Sequence, residues 1–120
     1  MNDRGLRGLI RCYFGPAARA TSVSHMEHGL ENEHYRVDLS DRRSCFVKIY
    51  RTTRAELVAT EVELVTALRA RGLRTPAVIA TRDGDLFTRN RGRLAALFEF
   101  VEGAHPGAEV QAGPGAAAAH

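Results

Sequence analysis

Of the 17 lysine and arginine residues in this 120-residue chain, one alone is lysine: Lys48, in the run SCFVKIY from Ser44 to Tyr50. Arginine offers a planar fork of donors, whereas lysine is a compact point charge on a flexible stem. A phosphate is one group that needs such a point charge; the plain alternative is a lysine on a solvated strand face. Alternation along a strand puts Phe46, Lys48 and Tyr50 on one face and Cys45, Val47 and Ile49 on the other. The second face is apolar and suits a core. The first is therefore expected to look outward, with a cation between two aromatic rings and Phe46 presented for stacking on a base. The other residue with chemical promise is Glu61. It follows Leu57 by four and precedes Val65 and Leu68 by four and seven, which sets it on or beside the apolar stripe of a helix. A carboxylate there is costly to bury unless paired; otherwise it is a boundary residue. Glu56 and Glu63 read as solvated.

The elements that position these residues follow from periodicity and turn signals. Residues 4–14 form a short amphipathic helix through Leu6, Leu9, Ile10, Tyr13 and Phe14, stopped by Gly15 and Pro16. Residues 19–26 are a weak strand, residues 28–32 (HGLEN) a turn, and residues 33–39 an alternating strand. A polar turn, Ser40 to Arg43, leads into SCFVKIY, and the two strands are close enough to form an antiparallel hairpin. Thr52 or Thr53 caps a helix over residues 54–71, with Leu57, Val58, Leu64, Val65 and Leu68 as its stripe and Gly72 at its C-terminal end. Residues 77–81 are a short strand to which residues 86–88 pair back around Asp83-Gly84-Asp85. After a turn at Asn90-Arg91-Gly92, the apolar run 93–101 is a strand that suits the centre of a sheet. Residues 103–120, rich in glycine, proline and alanine, read as a linker. The fold class is α+β: a mostly antiparallel sheet of five or six strands, one long covering helix and a short N-terminal helix.

Composition narrows the function. A hydrophobic content of 44%, a charged content of 26% and a net charge of +3 describe one globular domain. The arginines are scattered and are not interleaved with stacking aromatics, so no nucleic-acid partner is expected. Neither a signal peptide nor a membrane-spanning run is read, which points to the cytoplasm. Cys12 and Cys45 form no CxxC and read as free thiols. His25 and His28 lack a third ligand for a metal, and Asp83 and Asp85 read as turn formers.

Phosphoryl transfer needs charge neutralised around nucleotide phosphates. In kinase-type folds a third-strand lysine does this, and a glutamate from the following helix holds the lysine. Lys48 is on the third strand here. Glu61 lies on the following helix, about two helical turns in, which brings it back over the strand. The HGLEN turn, with Gly29, Glu31 and Asn32, takes the place of the loop over the phosphates; it lacks GxGxxG, but its backbone N–H groups suit an anion.

Four blocks, GLENEHYRV, CFVKIYR, ExxLVxxLRARGLxTP and LAALFEFVEG, resemble in order and spacing the N-terminal lobe of the aminoglycoside phosphotransferase superfamily, over about residues 5–103. The nearest likeness is to homoserine kinase-like proteins and to bacterial protein kinases of this fold. The resemblance implies a protein kinase-like N-lobe over residues 1–102 (residues 1–15 the leading helix, 16–102 the sheet and long helix). It implies ATP with Lys48 on the α- and β-phosphates, Glu61 as the ion-pair partner of Lys48, and Glu99, Phe100 and Val101 as a hinge whose backbone bonds adenine. The family's HxDxxxxN catalytic loop and later metal-binding aspartate do not occur in these residues. The catalytic base, the Mg2+ ligands and the site for a small-molecule hydroxyl substrate are thus expected in a missing C-terminal lobe entered through residues 103–120. The alternatives are the lobe of a bacterial Ser/Thr protein kinase, or a non-catalytic remnant.

Overall fold

In the computed structural model, residues 3–26 and 32–100 are described. They form α1 (Asp3–Phe14), β1 (Ala20–Met26), β2 (Glu33–Leu39), β3 (Ser44–Ile49), α2 (Ala55–Ala70), β4 (Val78–Ile79), β5 (Thr88–Asn90) and β6 (Arg93–Glu99). The strands make one antiparallel sheet in the order β1-β2-β3-β6-β4, with β5 also pairing with β6. The apolar run of β6 is central, as its composition demands: Leu94 to Phe98 are all buried.

A helix packs on each face of the sheet, so the face expected to be open is covered over its β3–β6 half. On one side Leu6, Leu9, Ile10 and Tyr13 of α1 pack on Val37, Leu39, Cys45, Val47, Ile49 and Leu97. On the other, Val58, Val62 and Val65 of α2 pack on Phe46, Tyr50, Leu94, Ala96 and Phe98. The face carrying Lys48 therefore lies under α2, and Lys48 is 3% exposed. The helix stripe is also corrected. Positions 58, 62 and 65 recur at i, i+4 and i+7 and face the sheet, while Leu57 and Leu64, on the flank, are 49% and 47% exposed.

Turn chemistry explains two further differences. The residue before the long helix, Arg54, makes no side-chain cap; the Thr52 hydroxyl instead accepts from the Arg54 N–H at 3.1 Å, in the preceding turn. Residues 86–88 do not pair back on 77–81. Arg91 and Gly92 both have positive φ, 54° and 80°, the geometry of a tight two-residue hairpin, and this commits residues 88–90 to β6. The other end of α2 closes as expected: Gly72 has φ 91°, and the Leu73 N–H reaches back to the Leu68 carbonyl at 3.1 Å.

Candidate functional site

Strand register places the chemical residues. Lys48 is opposite His34 on β2 and Ala96 on β6, while Phe46 is opposite Arg36 and Phe98. Continuing to β1, Met26 is opposite His34 and Ser24 opposite Arg36. Ser24, Met26, His34, Arg36, Phe46, Lys48 and Tyr50 therefore share one face. Helix α2 covers its β3–β6 half. On the β1 half Ser22 and Ser24 are exposed, so a polar surface opens two strands away from the buried lysine, beyond His34 and Met26.

Lys48 and Glu61 meet across the sheet–helix interface. The Lys48 Nζ donates to Glu61 Oε1 at 2.9 Å and to Oε2 at 3.0 Å, and the Tyr50 hydroxyl donates to the same Oε2. The ammonium also sits 5.1 Å from the centre of the Tyr50 ring. The Lys48 side chain is 4% exposed and that of Glu61 20%, so the pair is sunk at its lysine end and reaches solvent at its carboxylate end. The pair is therefore not of the exposed kind that contributes only ~0–1 kcal/mol. A buried charge that loses its partner is strongly destabilising. Beside the pair an open cleft of about 410 Å³ is lined by Asn32, Tyr50, Arg51, Thr52, Leu57, Val58 and Glu61. Asn32 is held there, its Oδ1 accepting from the Arg51 N–H at 3.0 Å.

The other expected site residues fare differently. Phe46 is 2% exposed and covered by Phe100, with ring centres 5.1 Å apart, so it presents no face for a base. The reason is its place under α2 and beside the end of β6. Phe100 itself lies under the Arg36 guanidinium, 4.2 Å from the ring centre. Glu99 is exposed, and its N–H is committed to the Ala77 carbonyl at 2.8 Å, which removes that donor from hinge duty. Gly29, Glu31 and Val101 lie outside the described residues. Two neighbours of Lys48 had been given no role from sequence. Tyr50 was legible as the next residue on the same face, whereas His34 needed the register. Among the described residues no group of three or more His, Cys, Asp or Glu side chains is arranged to hold a metal ion, and no helix is long and apolar enough to cross a membrane.

A six-stranded antiparallel sheet whose third strand carries a lysine, paired with a glutamate from the long helix that follows, is the kinase-like N-lobe fold. The model of the phosphotransferase enzyme family matches residues 22–120, and the chain belongs to that family, the aminoglycoside phosphotransferase superfamily, as its N-terminal part. Among solved structures it is similar to spectinomycin phosphotransferase in complex with ADP and spectinomycin, with a TM-score of 0.66 and 16% identity over 85% of this chain. The chain spans 30% of the length of that enzyme. No curated protein sequence matches it.

Proposed function

We propose that this chain is the ATP-binding lobe of a phosphotransferase that moves the γ-phosphate of ATP to a hydroxyl of a small molecule, such as an aminoglycoside, homoserine or another amino alcohol. The observation that carries the reading is the buried Lys48 ammonium, fixed by Glu61 at the border between the covered and open halves of one sheet face. A point charge so held suits the α- and β-phosphates of a nucleotide lying over Ser22, Ser24 and Arg36. Glu61 orients the ammonium. The loop with Gly29, Glu31 and Asn32 flanks the phosphates, and residues 99–101 flank the base. The complex of the similar spectinomycin phosphotransferase with ADP and spectinomycin supports a nucleotide and a small-molecule acceptor. Residues 103–120 lead into a second lobe that supplies the base, the Mg2+ ligands and the acceptor site.

Calorimetric titration with ATP tests this. The wild-type chain is expected to bind ATP, and Lys48→Met, which keeps the stem and removes the charge, to bind at least tenfold more weakly while remaining folded. Equal affinity in the folded variant overturns the proposal.

A further inference from the structure

The Glu61 carboxylate has two partners, Lys48 on β3 and Tyr50 just past the end of that strand. We propose that Tyr50 is a latch: its hydroxyl holds Glu61, and with it α2, against β3 independently of Lys48, so that the ammonium can turn toward a phosphate without the helix leaving the sheet. This deepens the nucleotide reading above and rests on it.

The argument begins with the strand. Two residues past Lys48 on the same face, Tyr50 stands about 6.6 Å further along the sheet, under the same helix. Its backbone N–H donates to the Leu94 carbonyl at 2.8 Å, and the residue is 4% exposed within the cluster that includes Val58, Val62 and Val65. The hydroxyl is thus placed by packing before it meets Glu61. Lysine differs in kind: its ammonium ends a flexible stem and carries three donors. Two of these contacts go to Glu61, one on each oxygen. An ionised carboxylate has about four acceptor sites, so the Tyr50 hydroxyl and the ammonium bind it together.

The polar ties between the sheet and α2 are few. Beyond Lys48 and Tyr50, the described residues show only the exposed Arg69–Glu99 pair at 3.9 Å. If Lys48 were the sole tie at the Glu61 turn, each reorientation of the ammonium toward a phosphate would leave a partly buried carboxylate short of a protein partner, a cost that falls on nucleotide binding. With Tyr50 in place, Glu61 keeps a donor throughout. Tyr50 acts through Glu61, as a positioning residue.

Three variants of the full chain test this: Tyr50→Phe, which removes only the hydroxyl, Lys48→Met, and the double variant. Amide hydrogen exchange along α2 is read against β6 as an internal standard. Relative to β6, Lys48→Met is expected to keep α2 protection within threefold of its wild-type ratio, and the double variant to lose at least a further tenfold. Because Lys48 is the only lysine, labelling with 13C,15N-lysine gives one side-chain NMR signal that reports its ammonium directly. In Tyr50→Phe this signal is expected to shift, and ATP affinity to fall about tenfold, whereas a merely structural hydroxyl would alter protection and leave both unchanged. The latch is overturned if Lys48→Met alone opens α2 as far as the double variant does, or if Tyr50→Phe matches wild type in Lys48 signal and ATP affinity. Failure of the wild-type chain to bind ATP would sink the nucleotide reading separately, and the exchange comparison would still judge the tie itself.

Discussion

Removing the two members of the Lys48–Glu61 pair should have unequal costs. Glu61→Ala leaves a cation whose side chain is 4% exposed without its counter-ion, opposite Ala96 and beside the Tyr50 ring. Losing one partner of a buried pair costs about 3–5 kcal/mol. Lys48→Met leaves instead a carboxylate whose side chain is 20% exposed and which keeps the Tyr50 hydroxyl, while the methionine stem fills much of the lysine's space. That change is expected to cost about 1–2 kcal/mol, the range for a partly satisfied polar group. Replacing both, as Lys48→Met with Glu61→Leu, is expected to fall near the wild type, because apolar replacement of a buried pair is often neutral. Urea denaturation, with m-values checked for constancy, gives the three numbers. For a domain of this size the Glu61→Ala loss corresponds to a melting temperature lower by roughly 12 °C or more. A Lys48→Met loss equal to that of Glu61→Ala, or a Glu61→Ala loss under about 1 kcal/mol, as for an exposed pair, would refute the asymmetry.

Other outcomes follow from the cysteines and the core. Cys12 is exposed and Cys45 buried, so a thiol reagent should modify one cysteine in the folded chain and two in denaturant, with peptide mapping assigning the first to Cys12. Burial pushes the Cys45 thiol up to about 12 and raises Tyr13 as well. An acid raised in this way keeps its proton in the folded state after the unfolded chain has lost it, so stability is full below the unfolded pKa, about 8.5 for a thiol, and falls as pH rises toward 12. Thermal melts from pH 7 to 11 should show this decline, and Cys45→Ala should make it shallower; identical slopes would contradict the assignment.

Much of this architecture was legible in the chain. Alternation in residues 33–39 and 44–50, helical period in residues 55–70 and the glycines at positions 72 and 92 fix elements locally, and the structure follows them. The pairing of Lys48 with Glu61 was legible because a strand face and a helix stripe converge on it. The burial of that face was not. Which side of a sheet a helix covers depends on the packing of distant residues, and two helices here compete for two faces. The same limitation misassigned Leu57 and Leu64: an apolar residue fits either flank of a stripe, and only the docked helix shows which row meets the sheet. Phe46 was misread for a related reason. Alternation gives the face a side chain points to, but what lies over it comes from elsewhere in the chain, here α2 and Phe100.

The claim on which the rest depends is that Lys48 receives nucleotide phosphates. Its uniqueness in the chain makes the most direct measurement simple. An acyl-phosphate derivative of ATP, which acylates a lysine held beside the phosphates, is incubated with the chain, and the modified residue is mapped by mass spectrometry. The account predicts an adduct on Lys48 that forms saturably, is suppressed by excess ATP or ADP, and is lost in Lys48→Met. An unmodified Lys48, or an adduct that excess nucleotide leaves unchanged, would contradict it.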